Sequence, residues 1–304
     1  MKRETKRIAI IGATASGKSA LAVEMAQIYD AVILSLDSLS IYKEIDIASA
    51  KPTIEERGGI PHFGIDEIRP DERFDVMEFI ELYHKADDYA SERGRHLIVT
   101  GGSSFYLKTL IDGISPIPRL STETKERVES LLRDPAKAYE TLLSCDREYA
   151  EKISPGDRYR IEKGLCIYFE TSIPPGEYFE SNPPVPAVSG EMEIFEIEIP
   201  RQKLRERIAI RCEEMISAGL VDEVAYLESR YGRAPNPMKA IGIREVLDFF
   251  DGRYDFSTMR EKIVTNTARL AKRQSTFNKS QFSHIHARGD AESLSEAISR
   301  TLAE

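Results

Sequence analysis

Eight consecutive residues, Gly12-Ala13-Thr14-Ala15-Ser16-Gly17-Lys18-Ser19, are patterned to bind a chain of phosphates. In Gly-x4-Gly-Lys-Ser between a strand and a helix, main-chain N–H groups converge on phosphate oxygens and the helix N-terminus adds partial positive charge. Lys18 can bridge the outer phosphates, and the Ser19 hydroxyl can ligate Mg2+. A second chemical position is Asp37, which follows the apolar run Ala31–Leu36. A carboxylate beside a bound diphosphate can hold magnesium through water or act as a general base. It can also cap a turn, because Asp37-Ser38 is good capping chemistry. A third run, Leu97-Ile98-Val99, ends in Thr100-Gly101-Gly102 where a nucleoside triphosphatase would carry a metal-binding Asp. This phosphate loop therefore lacks the usual hydrolysis equipment, which argues against an ATPase.

The elements that must position these residues alternate in the first third of the chain. Strands are expected at Ile8–Gly12, Ala31–Leu36 and His96–Thr100, and helices at Lys18–Tyr29, Asp75–Arg93 and Phe105–Ile111. Such alternation predicts an α/β fold with a P-loop NTPase-like parallel sheet flanked by helices. Ligands of these sheets sit beyond the carboxyl ends of the strands. The loops Gly12–Ser19, Asp37–Lys43 and Gly101–Ser104 would then share one rim. Near Asp112 the pattern changes, and helical signals appear at Thr122–Arg133, Ala136–Ser144 and Asp157–Thr171, between proline-rich stretches. The expected division is a catalytic core of residues 1–114 and 190–304, with an inserted helical subdomain at 115–189. A strand at Met192–Ile199 returns to the sheet. Helices follow at Gln202–Ala218, Val221–Tyr231, Ile243–Phe250 and Thr258–Phe277, then a short strand at Ser283–His286 and a last helix.

Composition narrows the class. The 304 residues are 41% hydrophobic and 31% charged, which describes a soluble globular chain. Apolar runs such as Ile8–Ile11 fall far short of the roughly 20 residues a membrane span needs. The start, Met1 to Arg7, passes straight into the first strand and leaves no room for the apolar region of a signal peptide, so a cytoplasmic location is expected. Cys145, Cys166 and Cys212 are odd in number and lack C-x-x-C spacing, which suggests neither a disulfide framework nor a zinc site. A net charge of −9 argues at first against a nucleic-acid partner. The basic residues are segregated, however: Arg260, Lys262, Arg269, Lys272, Arg273, Lys279 and Arg288 face only Glu261 in that stretch. Such a local excess can attract a phosphate backbone even on an acidic protein, or form a solvated helix face. With no exposed apolar repeat in the sequence, a monomer is expected.

The chain resembles the tRNA dimethylallyltransferases, also called tRNA isopentenyltransferases, over nearly its whole length. The resemblance rests on Gly12–Ser19, on the run from Asp37 to Pro52 (DSLSIYKEIDIASAKP) and on Gly101–Leu107 (GGSSFYL). It continues in Arg207-Ile208 with Arg211, Gly219–Val224 (GLVDEV), Lys239–Arg244 (KAIGIR) and Thr267–Phe277 (TARLAKRQSTF). It implies transfer of a dimethylallyl group from dimethylallyl diphosphate to N6 of the adenosine 3′ to the anticodon, in tRNAs reading codons that start with U. The diphosphate leaves and magnesium helps to neutralise its charge. By position, Asp37 would accept from the adenine amine, with Ser103 and Arg211 as further catalytic groups and Arg211 as a clamp on the diphosphate. Residues Gly12, Ala13, Thr14, Ala15, Ser16, Gly17, Lys18 and Ser19 would hold that diphosphate, Ser19 also the metal.

The tRNA anticodon stem-loop would meet Asp37, Ser38, Leu39, Ser40 and Ser103 at the rim. Further contacts would come from Lys125, Tyr159, Arg160 and Lys163 in the insert, from Lys239, Gly242 and Arg244, and from Lys272, Arg273, Gln274, Thr276, Phe277 and Lys279. The target base would be flipped from its loop. Ser103 stands where the family usually has Thr, Ile243 where it has Tyr, and Phe277 where it has Trp, while Tyr159 and Glu162 also depart from the pattern. These departures bear on which tRNAs bind rather than on the prenyl site. The alternative reading is a P-loop small-molecule nucleotide kinase with a helical lid, which has no reason to carry Asp37-Ser38 or the Lys272–Phe277 segment.

Overall fold

The structure, a computed structural model, describes residues 5–303. Its sheet has six parallel strands in the order β3-β2-β4-β1-β5-β6. These are β1 Arg7–Gly12, β2 Ala31–Ser35, β3 His62–Phe63, β4 His96–Gly101, β5 Glu193–Ile197 and β6 Ala287–Gly289. Alternation along the inner strands explains why both faces are covered. Ala9, Ile11, Val32, Leu34, Leu97 and Val99 belong to one buried cluster, and Ile8, Ile10, Ala31, Ile33 and Ile98 to the other. A strand buried on both faces reads as a continuous apolar run, as these do.

Helix α1 (Lys18–Tyr29) and the last helix, α13 (Ala291–Ala303), supply the second cluster. On the other face lie α2 (Val76–Arg93), α10 (Leu220–Tyr231), α11 (Ile243–Phe250) and the start of α12 (Phe256–Gln281). Local chemistry fixes the helix ends. Asp75 and Glu78 form a capping box at the start of α2, and Gly94 ends it with φ of 65°. Helix α3 (Ser104–Asp112) follows β4, and α9 (Arg201–Ser217) follows β5.

The chain divides into a unit of residues 1–111 with 187–304 and a second unit of residues 112–186. The second unit contains α4 (Thr122–Leu131), α5 (Pro135–Cys145), α6 (Arg147–Glu151), α7 (Arg158–Thr171) and α8 (Pro175–Ser181). Its own core joins Val128, Ala138, Leu142, Ile161 and Leu165. In the first unit, Ala187 and Val188 both donate their N–H to Leu110 O, at 2.9 and 3.2 Å.

Two sequence expectations are corrected. The final strand lies at Ala287–Gly289 rather than Ser283–His286, because α12 runs on to Gln281 and pairing with β5 begins only where His286 N donates to Ile194 O. No helix was expected between Thr171 and the strand at Met192, yet Pro175 opens α8, where its missing N–H costs nothing.

Candidate active site

Gly12 ends β1 with φ of 149°, and a Cβ there would lie 2.8 Å from Ile197 O, so no side chain fits. Beyond it, Ala15 (φ 61°) and Gly17 (φ 98°) take left-handed conformations, the kind of turn in which successive amides form an anion nest. Ser16 Oγ is buried without a hydrogen-bond partner among the described residues, which leaves it for a phosphate oxygen. Lys18 is buried at the first turn of α1, and its Nζ donates to Ala13 O at 2.8 Å. Burial pulls its pKa down to about 8; the Asp37 carboxylate opposes that shift and the Arg211 charge adds to it.

Two arginines approach the loop from α9. Spaced i,i+4, they lie on one helix face. Arg207 Nη1 donates to Ser16 O at 3.1 Å. Arg211 donates through Nη1 to Thr14 Oγ1 at 3.4 Å and through Nη2 to Ala50 O at 3.3 Å. Burial holds the Arg211 pKa below the ordinary guanidinium value, against the pull of Asp37, Glu214 and Glu56. Lys18 and Arg211 are thus two desolvated cations in reach of the Asp37 charge, a balance that favours a polyanionic guest.

Asp37 lies just past the end of β2. Its Oδ1 accepts from Leu39 N at 2.8 Å and Ser40 N at 3.3 Å, so the capping reading and the rim position hold together. The loop after β4 packs against it. Gly101 is required because a Cβ would come within 2.6 Å of the Leu36 backbone. Ser103 N donates to Leu36 O at 2.9 Å, and Ser103 Oγ accepts from Ser38 N at 3.3 Å. Thr100, at the Walker-B position, directs its hydroxyl to Ile10 O at 3.1 Å.

One pocket is lined by Thr14, Lys18, Ser19, Asp37, Thr100 and Arg211, among other residues. No cluster of three or more His, Cys, Asp or Glu that could hold a metal occurs among the described residues. Ser19, which lines the same pocket, is the hydroxyl that could hold a magnesium ion there.

The IPP transferase family profile matches residues 40–281. The chain belongs to the IPP transferase family. It is 54% identical over 285 residues to a tRNA dimethylallyltransferase of Sulfurovum sp., covering 94% of this chain and 95% of that one. A solved eukaryotic dimethylallyltransferase acting on tRNA superposes with a TM-score of 0.85 at 26% identity, over 99% of this chain and 78% of that one. The tRNA delta(2)-isopentenylpyrophosphate transferase of Staphylococcus epidermidis gives a TM-score of 0.70 at 28% identity, covering 99% of both chains.

For this member of the family the expected RNA-facing residues divide into engaged and open ones. Gln274 has both amide atoms occupied inside the protein: Oε1 accepts from Thr14 N at 2.8 Å and Nε2 donates to Gly102 O at 3.0 Å. Arg244 pairs with the buried Glu245 at 2.6 Å, where Gly242 N also donates, and Lys279 lies 3.8 Å from Glu198. Part of the basic stretch is matched internally, since Arg260 pairs with Glu213 and Arg288 with the buried Glu196. Lys272, Arg273 and Thr276 remain exposed on α12, as does Lys239. Phe277 is half-buried and meets the Phe282 ring edge-on at 6.4 Å. Leu39 is half-buried and Ser40 buried, which leaves Ser38 as the exposed member of that loop.

In the second unit Lys125 is exposed, Arg160 lies 3.4 Å from Asp157, and Lys163 Nζ sits 5.4 Å from the centre of the exposed Tyr159 ring. Sequence reasoning did not assign Arg207 to the phosphate loop, although the Arg-Ile-x-x-Arg spacing carries that signal. It also did not anticipate Lys51, whose buried Nζ donates to Tyr42 O at 2.9 Å and lies 2.8 Å from Asp46.

Proposed function

We propose that this chain transfers a dimethylallyl group from dimethylallyl diphosphate to N6 of the adenosine 3′-adjacent to the anticodon, in tRNAs whose codons start with U. The observation that carries the reading is the convergence of Lys18, Arg211 and Asp37 on one pocket at the strand ends. The C1–O bond of the donor breaks and the N6–C1 bond forms. The electron pair of the broken bond leaves on diphosphate, and the N6 proton passes to Asp37 Oδ2 and then to solvent. The phosphate-loop amides, Lys18 and Arg211 hold the diphosphate and stabilise the charge that develops on it. Mg2+, when bound, supplies further neutralisation of that leaving charge, with Ser19 as its protein ligand. Asp37 orients the amine toward C1, and the turn amides of Leu39 and Ser40 fix the carboxylate that does so.

Exposed Lys272 and Arg273 are suited to phosphates of the anticodon loop, with Lys239 as a further cation. Tyr159, backed by Lys163, offers a ring on which a base can stack. The working unit in this proposal is a single chain, and no described helix is long and apolar enough to cross a membrane.

The test is incubation with magnesium, labelled dimethylallyl diphosphate and an anticodon stem-loop carrying adenosine 3′ to the anticodon, with ATP in a parallel tube. Label should move to the RNA without ATP. Phosphate moving from ATP to a small nucleotide, with no prenyl transfer, would overturn the proposal.

A further inference from the structure

The segment Gly219–Val224 has no place in the chemistry above, yet it packs against the loop that follows Asp37. Gly219, with φ of 102°, is the N-cap of α10, and Glu223 lies in the first turn of that helix. The Glu223 carboxylate accepts three successive main-chain N–H groups: Asp46 at 2.8 Å and Ile47 at 2.7 Å on Oε2, and Ala48 at 2.8 Å on Oε1. Three adjacent amides converging on one anion form a nest, and here a helix of the same chain fills it. Hydrogen bonds to an ionised acceptor are among the stronger ones available to a protein.

The loop so held ends in a strained residue with a defined task. Ala50 has φ of 45°, uncommon for a residue with a Cβ, and its N–H is bonded to Ile47 O at 2.9 Å. Its carbonyl accepts from Arg211 Nη2 at 3.3 Å. The same helix steadies the other side of the loop, where Tyr231 Oη donates to Glu44 Oε1 at 3.1 Å. One connected path therefore runs from the Glu223 carboxylate, through the amides of residues 46–48 and the turn at Ala50, to the guanidinium at the phosphate pocket.

We propose that Glu223 is a positioning residue for the prenyl donor. Its carboxylate sets the conformation of residues 46–50, and this aims Arg211 at the diphosphate. The inference rests on the reading of Arg211 as a diphosphate clamp. Those three amides bond to Glu223 and not to Asp222, its neighbour in α10, which serves as the control.

The experiment is steady-state kinetics of the full chain with magnesium, dimethylallyl diphosphate and an anticodon stem-loop, together with tRNA binding and thermal unfolding. Glu223→Gln keeps the shape but places an NH2 group against a main-chain N–H. It should raise the KM for dimethylallyl diphosphate by about tenfold, with the tRNA dissociation constant changed by less than about twofold. Asp222→Asn should match the parent. Because Glu223 acts through Arg211, adding Glu223→Gln to Arg211→Ala should produce little further rise in KM. Effects that multiply in the double variant, or a loss shared equally by both substrates alongside a fall in Tm, would show a purely structural role and overturn the inference. An unchanged KM in Arg211→Ala alone would overturn the reading of the pocket, and this inference with it. A normal response to Arg211→Ala with no response to Glu223→Gln would overturn only the inference.

Discussion

Gln274 and Thr14 are far apart in sequence, yet the Gln274 amide oxygen accepts the Thr14 N–H while its nitrogen donates to Gly102 O. A single side chain of α12 therefore ties the phosphate loop to the loop after β4. Gln274→Ala removes both bonds, and each is worth about 1 kcal/mol. Prenyl-transfer kcat/KM should fall by roughly tenfold to thirtyfold, with the loss in the donor KM rather than in tRNA affinity. Titrating each substrate at saturating concentration of the other checks this.

Asp37 is the group expected to meet the adenine amine. Asp37→Ala should lower kcat by at least about 100-fold with little change in tRNA affinity. Single-turnover rates beside equilibrium RNA binding make the comparison. Weakened binding with unchanged turnover would remove Asp37 from the chemistry.

Lys18 links the site to pH. Its pKa is about 8 in the folded protein, below the ordinary lysine value of 10.5. Donor binding requires the ammonium form, so affinity should be level with respect to this group below pH 8. Above pH 8 it should weaken by up to about tenfold per pH unit. Stability runs the other way. Between pH 8 and 10.5 the unfolded chain binds more protons at this residue, so its contribution to unfolding free energy rises with pH across that window. Lys18→Met should accordingly raise the Tm at pH 7, by an amount reflecting up to about 3 kcal/mol, while abolishing donor binding. Calorimetric unfolding and donor titration over this pH range test both directions.

Glu196 illustrates a buried charge that belongs to folding. It sits in β5, 3% exposed, and accepts from Asn278 Nδ2 and Arg288 Nε, each at 2.9 Å. Glu196→Ala strands both donors and should destabilise the protein by about 3 kcal/mol, read from denaturant unfolding. Activity measured well below the new Tm should change far less than in Asp37→Ala.

Open cations should report on RNA through salt. Replacing Lys272 and Arg273 together with Ala should weaken tRNA binding and reduce the slope of log K against log salt by about 1 to 2. The kcat at saturating RNA should stay within about threefold. Binding measured across a salt series checks it.

The parallel core was legible because its strands are unbroken apolar runs and its phosphate loop combines turn chemistry with a helix start. Helix α2 was legible from the helical spacing across Asp75–Arg93. What escaped were features made by distant partners. His62 and Phe63 form too short a strand to show a pattern, and only the β2 edge gives them one. The last strand was misplaced because its position depends on β5, which nothing near Ser283 reveals. At the site, side-chain identity suggested what Lys18, Asp37 and Arg211 could do. It could not tell that Gln274 faces inward, since an amide has the same composition whether it meets RNA or a loop.

The two N–H bonds that Ala187 and Val188 make to the single carbonyl of Leu110 bring the chain's departure and return to one spot on the sheet-bearing unit. All six strands belong to that unit, so the residues between Leu110 and Ala187 are a detour from the sheet that is closed at its base by those two bonds. Lengthening or shortening a detour closed at its base changes loop entropy only slowly, so lineages and protein engineers alike can vary its length without breaking a strand pair.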